Sequence, residues 1–363
     1  MKVVHITPTY FDDSSIIGGG ERYPMELASL MADVVETTLV SFASKRRSHR
    51  QGNLKIEIYS VKHFIHGNKA NPLAFRYLGS VLGADVVHIH QINTLISDLS
   101  CLTASLLNKR AFVTDYGGGG DLVINQKLPV FKGYFKAIAY SRFGLDFIPA
   151  ELQKKAILIK GGIDTERFYR VPSLEKEKKI LYVGRILPHK GINYLIKAFR
   201  ILNRSDYQLK IVGRVYNEEF YQSLKELAVG LPVEFVHNAD DQRLVYEYRT
   251  AIVTVLPSVH TDCYGSYTPV PELMGFTLLE SQACGTPVIC TDAGAMHEFV
   301  DKNRTGYVVK QNSPEAIANA LSQIIELSPS EYLAYQERCI EWIKPLNWST
   351  VIAKHLELYN QSY

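Results

Sequence analysis

Short runs rich in β-branched residues alternate with segments of helical period along this chain, and the alternation begins afresh half-way. Parallel strands cannot be joined by tight turns, so each pair needs a crossover, usually a helix that then covers the sheet. The first half offers strands over Lys2–Thr7, Glu36–Phe42, Leu54–Val61, Asp85–His90, Ala111–Thr114, Ala137–Tyr140 and Ile157–Lys160. The second offers Ile180–Val183, Leu209–Val212, Val233–Val236, Ile252–Leu256 and Pro287–Cys290. Between them Glu166–Lys179, charged around Pro172 and without apolar period, reads as a linker. Two parallel-sheet α/β domains are therefore expected, 1–170 and 171–345, with a closing helix over 346–363 packing back on the first. Ligands of such sheets bind at the carboxyl ends of the strands, which places the chemistry in a cleft between the domains. Helices are expected over Gly191–Leu202, with Ile192, Leu195, Phe199 and Leu202 as one stripe, over Pro314–Leu327 and over Trp348–Leu358.

Composition narrows the function classes. With 40 basic and 37 acidic residues the net charge is +3, so no global field demands a nucleic-acid partner. The five cysteines, Cys101, Cys263, Cys284, Cys290 and Cys339, form no C-x-x-C pair and read as small reduced core residues. The start, MKVVHITPTYFDDSS, turns acidic where a secretion signal would stay apolar, and no run reaches the roughly 18 apolar residues of a membrane span. A cytoplasmic protein is expected, at most docked on a membrane surface.

Three constellations carry chemistry. Gly18-Gly19-Gly20 before Glu21 opens a helix after the first strand; it reads either as an anion site of bare N–H groups or as a tight turn. In LYVGRILPHKG, Arg185 and Lys190 follow a strand and precede a helix, and read either as a diphosphate clamp or as solvated charges. In PELMGFTLLESQACGTPV, Glu272 and Glu280 flank Gly275-Phe276-Thr277; Thr277 is expected to cap a helix over Leu278–Cys284. Two carboxylates on either side of a helix N-terminus suit two polyol rings joined by an anion, the layout of a sugar nucleotide.

Together with GGGERYPMELASL, DVVHIH, KGGIDTERF, GAMHEFV and GYVV, these motifs make the chain resemble the retaining nucleotide-sugar glycosyltransferases of family 4 over nearly its whole length. The resemblance implies the GT-B fold, two Rossmann-like domains facing a cleft. It implies that Arg185 and Lys190 hold the donor diphosphate, Glu280 the ribose and Glu272 the transferred sugar. The amides around Gly275, Phe276, Thr277 and Leu278 would touch sugar and phosphate, and Gly19 and Gly20 would reach the phosphates from the first domain. The base is expected near Arg214 and Val236-His237-Asn238. One departure stands out: where the family commonly has a histidine, the residue that aligns is Tyr116. It reads as a sugar contact or as an aromatic wall, and His90 as a second donor or acceptor contact or as a buried histidine. Asp115 and Asp121 flank Gly117–Gly120, an expected acceptor-side loop.

The implied reaction moves a hexose from a nucleoside diphosphate sugar, a UDP-sugar by expectation, to a saccharide or lipid-linked acceptor in polysaccharide assembly. No cofactor and no metal are expected. No D-x-D pair, nucleophile elbow or catalytic triad order occurs in the sequence. The basic run Lys45–Arg50 reads either as a solvated loop or as a contact with anionic lipid. Two alternatives remain: a phosphorylase or synthase of the same fold, and a non-catalytic sugar-nucleotide binding protein.

Overall fold

Leu39, Val40 and Phe42 on one strand, and Val86, Val87 and Ile89 on another, are buried whichever way they point. A sheet covered by helices on both faces requires this of its strands. The computed structural model describes residues 1–10, 19–116 and 124–361. It divides into two compact units, Met1–Gly162 with Trp348–Tyr363, and Ile163–Asn347.

The first unit contains β1 (Lys2–Tyr10), β2 (Glu36–Ala43), β3 (Arg47–Gln51), β4 (Leu54–Ser60), β5 (Val86–His90), β6 (Arg110–Thr114), β7 (Tyr134–Ala139) and β8 (Ala156–Leu158). They form one sheet in the order β3-β4-β2-β1-β5-β6-β7-β8, parallel except for β3 against β4. The second unit contains β9 (Lys179–Val183), β10 (Gln208–Val212), β11 (Val233–Val236), β12 (Val253–Leu256), β13 (Val288–Thr291) and β14 (Gly306–Val309). Their order is β11-β10-β9-β12-β13-β14, parallel throughout. In each sheet the order reverses beside the first strand, between β1 and β5 and between β9 and β12. Loops leaving opposite sides of such a reversal diverge, and a crevice opens at the carboxyl ends.

Several expectations are corrected. Part of the basic run is strand rather than loop: Arg47–Gln51 is an edge strand with every residue exposed. Its antiparallel pairing closes the open side of β4, and its charges discourage another strand from adding. GYVV is β14, and Gly306 is required there because a Cβ would lie 1.9 Å from the Val288 carbonyl oxygen. Cys263 is exposed, unlike the other four cysteines. The second unit begins at Ile163, inside the stretch assigned to the first domain, and Ile163 N–H donates to Leu346 C=O at 3.2 Å where the chain leaves that unit.

The helix Ile192–Leu202 buries Ile192, Leu195, Ile196 and Phe199 in the core of the second unit. The closing helix Trp348–Tyr359 belongs to the first unit, where the Trp348 ring lies 4.8 Å from that of Tyr23.

Lys179, read from sequence as the end of the linker, is instead a buried strand residue. Its ammonium meets Glu247 Oε2 at 2.6 Å, while Lys210 reaches Oε1 at 3.2 Å and Arg243 Nε the same oxygen at 2.6 Å. Deleting one partner of a buried ion pair leaves an uncompensated charge, so Glu247→Ala should cost about 3–5 kcal/mol in urea unfolding. Burial alone raises the Glu247 pKa; Lys179 and Lys210 reverse this and hold it below the ordinary value. A carboxyl with a lower pKa folded than unfolded stabilises above its unfolded pKa, and that stabilisation is lost as pH falls through the folded one. The gap between wild type and Glu247→Ala should therefore narrow on acidification; a gap independent of pH would contradict this assignment.

Candidate functional site

In the second unit the loops after β9 and β12 supply the polar groups of the reversal point. β9 runs into Gly184 and the exposed Arg185, whose guanidinium lies 5.8 Å from the centre of the Tyr216 ring. A 3₁₀ turn, Pro188–Lys190, follows, and Gly191 at φ +67° turns the chain into the helix Ile192–Leu202. A Cβ at Gly191 would sit 1.9 Å from the Pro257 carbonyl oxygen, so only glycine lets the two loops approach. Val259 N–H donates to His189 C=O at 2.8 Å, tying the same loops together. Burial, then Lys190, lowers the His189 pKa to about 4, which keeps that ring neutral.

Lys190 is buried, and its ammonium donates to Glu272 Oε1 at 2.6 Å and to the Pro271 carbonyl at 3.2 Å. Ser258 Oγ donates to the same Glu272 oxygen at 3.0 Å. The Glu272 backbone is pinned in turn: Ala295 N–H donates to its carbonyl at 3.0 Å, and a Cβ at Gly294 would come within 2.4 Å of that oxygen. An ammonium has three N–H donors and a carboxylate has two oxygens. The pairing therefore leaves one Lys190 donor and Glu272 Oε2 without a hydrogen bond among the described residues.

The expected cap is corrected. The helix is Phe276–Ala283 and its N-cap is Gly275 in the left-handed region at φ +79°. Thr277 Oγ1 instead donates to Val183 C=O at 3.1 Å, fastening the first turn of the helix to the end of β9. Leu278 is a core side chain whose N–H is taken by the Gly275 carbonyl, which removes it as a ligand contact. Glu280, one turn on, accepts from Tyr248 O–H at 2.7 Å. Val236 ends β11, and its carbonyl accepts from Gly213 N–H at 2.9 Å. Arg214 C=O likewise accepts from Ile186 N–H at 2.9 Å, so both carbonyls serve the fold.

In the first unit His90, the last residue of β5, is buried, and Tyr116, just beyond β6, is half-buried. His90 Nδ1 and Tyr116 Oη are 2.7 Å apart. Burial and neighbouring imidazoles hold the His90 pKa well below its ordinary value. Gly19 and Gly20 are the first two residues of the helix Gly19–Ala32. Gly18, Gly117–Gly120 and Asp121 lie outside the described residues. A further pocket, of about 380 Å³, opens where β1 and β2 begin. Its charges neutralise each other, Lys2 with Glu36 at 3.2 Å and Lys55 with Glu57 at 2.6 Å.

Sequence reasoning missed Ser258 and Tyr248, which hold the two glutamates, and Gln91, a non-glycine residue at φ +94°. Ser258 and Tyr248 carry no local signal, because strand order alone brings them to Glu272 and Glu280.

Residues 164–342 match the family described as glycosyl transferases group 1. The chain is 28% identical over 208 residues to a D-inositol 3-phosphate glycosyltransferase of Corynebacterium glutamicum, covering 54% of this chain and 47% of that protein, so it spans about half the length of that relative. It is 22% identical to the GDP-mannose:cellobiosyl-diphosphopolyprenol alpha-mannosyltransferase of Xanthomonas campestris, covering 99% of this chain and 97% of that one. The crystal structure of Anabaena HepE in complex with UDP and glucose superposes with a TM-score of 0.74 at 16% identity, covering 99% of each chain. The structural likeness shows the GT-B fold, and the group 1 match with the curated relatives supports a glycosyltransferase. No helix among the described residues is long and apolar enough to cross a membrane.

Losing Lys190 would leave the Glu272 carboxylate largely buried and unpaired. Lys190→Ala should therefore cost about 3–5 kcal/mol in chemical denaturation. The Lys190→Met/Glu272→Leu double change should recover part of that loss. If each change costs what it costs alone and the two simply add, the pair is not coupled.

Proposed function

We propose that this chain is a retaining glycosyltransferase that moves a hexose from a UDP-sugar to a saccharide or lipid-linked acceptor in polysaccharide assembly in the cytoplasm. The observation that carries the reading is the Lys190–Glu272 pair at the β9/β12 reversal, with one donor and one carboxylate oxygen still open, beside the N-terminus of the helix Phe276–Ala283. A sugar diphosphate presents a hydroxyl to an open carboxylate oxygen and phosphate oxygens to an ammonium and helix amides.

In this reading the acceptor hydroxyl attacks the anomeric carbon on the face from which the diphosphate departs. The carbon–phosphate-oxygen bond breaks as the new glycosidic bond forms, and the acceptor's proton passes to the departing phosphate. Negative charge grows on that phosphate, so the preorganised cations Arg185 and Lys190 lower the barrier without a metal. Glu272 Oε2 orients the sugar, and Glu280, held by Tyr248, takes a ribose hydroxyl. UDP is favoured by the likeness to Anabaena HepE, whose structure contains UDP and glucose. A GDP-mannose donor is the second reading, favoured by the full-length likeness to the Xanthomonas mannosyltransferase. Arg47 and Arg50 on the exposed strand β3 would meet the phosphates of a lipid-linked acceptor or of an anionic membrane.

The test is a thermal-shift and hydrolysis screen against UDP-, GDP-, ADP- and dTDP-sugars, with and without EDTA. A ligand at 100 times its Kd stabilises by about 2.7 kcal/mol. Stabilisation by UDP-sugar with slow hydrolysis that EDTA leaves unchanged is expected; binding without turnover would favour the non-catalytic alternative, and no binding would overturn the site. Glu280→Ala should weaken free UDP binding, whereas Glu272→Ala should weaken UDP-sugar more than UDP. Calorimetric titration decides, since equal losses toward free UDP would end this division of roles. Lys190→Ala should lower kcat more than donor affinity, because its charge is felt most in the transition state.

A further inference from the structure

A row of imidazoles lies beneath Tyr116. His5 on β1 and His88 on β5 are register partners and His90 lies two residues on, so the three side chains share one face of the sheet. Each has a ring nitrogen within 4.8 Å of the others', a spacing that would suit a cation. Five of the six nitrogens already have partners, however. His88 meets Tyr359 Oη at 2.5 Å and Thr114 Oγ1 at 2.8 Å; His90 meets Tyr116 Oη at 2.7 Å and His5 Nδ1 at 2.9 Å. The sixth, His5 Nε2, is buried and has none.

Burial and the neighbouring rings hold all three imidazoles neutral, so each carries one proton. If that of His90 sat on Nε2, it would donate to His5 Nδ1, and His5 would keep its own proton on Nε2 as a buried donor without an acceptor. If the shared proton belongs to His5 Nδ1, the atom left over is a bare lone pair. An unmet buried N–H is the rarer and costlier of the two. His355 in the same cluster shows this outcome: its Nδ1–H donates to Val351 C=O at 2.8 Å, and its Nε2 is left buried without a partner.

We propose that His5 and His90 are positioning residues that make Tyr116 a one-way hydrogen-bond donor. Protons point from His5 Nδ1 to His90 Nε2 and from His90 Nδ1 to the Tyr116 oxygen, so the Tyr116 O–H points away from the histidines, toward the neighbouring Tyr140, whose ring lies 5.5 Å away, or toward a hydroxyl oxygen of a bound sugar or acceptor that takes its place. Gln91 fixes the other end of the residue: its Oε1 accepts from Tyr116 N–H at 3.3 Å while its Nε2 donates to Asp115 Oδ1 at 2.7 Å. That grip explains a non-glycine backbone at φ +94°, since strain of this kind persists only where the surroundings over-determine it. The bound ligand rests on the glycosyl-transfer reading; the direction of the chain does not.

Two measurements on the full chain separate these parts. Long-range ¹⁵N–¹H correlation spectra should show His5 and His90 both protonated at Nδ1, with His5 Nε2 bare and unchanged on adding Zn²⁺. Protonation of His5 at Nε2, or a coordination shift with Zn²⁺, overturns the chain whatever the protein catalyses. In transfer assays with the donor found in the nucleotide screen, Tyr116→Phe should lower kcat/KM about tenfold, on the scale of one hydrogen bond. His90→Gln should do the same, and the double variant should be no worse than Tyr116→Phe alone. Losses that multiply would make His90 merely structural, and an unaffected Tyr116→Phe would remove the ligand contact. If no nucleotide sugar is turned over, the glycosyl-transfer reading fails, and the spectra of wild type and Tyr116→Phe still decide the chain.

Discussion

Parallel pairing is the constraint on which everything else in this molecule depends. A parallel strand can be followed by another only after a crossover, the crossovers cover both faces, and the sheet edges and ends are all that remain for chemistry. In each unit the order reverses once beside the first strand, and it is there that polar side chains are spent: Lys190, Glu272 and Ser258 beside β9 and β12, His5, His90 and Tyr116 beside β1, β5 and β6. Glycines without side chains, Gly191 and Gly294, permit the backbone approaches that bring the groups of the second unit together.

Three buried polar clusters show three ways of meeting the cost of desolvation. Around Glu247 charge is matched by charge, Lys179 and Lys210 inside the sheet and Arg243 on the same helix. That cluster is closed by ion pairs within its own unit and reads as structural. Lys190 and Glu272 are matched to each other but retain unused hydrogen-bonding capacity, the state expected of groups that will also engage a ligand. The histidines avoid charge altogether and hold their places by hydrogen bonds to one another and to Thr114, Tyr116 and Tyr359.

Much of this was legible in the sequence. The strands and the stripe Ile192, Leu195 and Phe199 follow from apolar period, which local chemistry sets. The spacing of Glu272 and Glu280 around Gly275 pointed to a helix start between two carboxylates, which the structure contains. Elsewhere local rules misled. Thr277 has the chemistry of a cap, but Gly275 takes the left-handed turn and the threonine hydroxyl goes to Val183, nearly a hundred residues away in the chain. Lys179 and the run Lys45–Arg50 read as solvated charge; one is buried because Glu247 faces it, and part of the other is a strand because β4 had an open edge.

Period and motif are properties of neighbours in the chain, and they alone set the two covered parallel sheets and the places along the chain where the candidate site residues fall. Only the tertiary structure decided that Lys190 rests on Glu272, that Tyr248 holds Glu280, and that His5 stands behind His90 and Tyr116. Those contacts join residues 26 to 85 positions apart. Strand order and register create them, and neither is written in any local stretch of sequence.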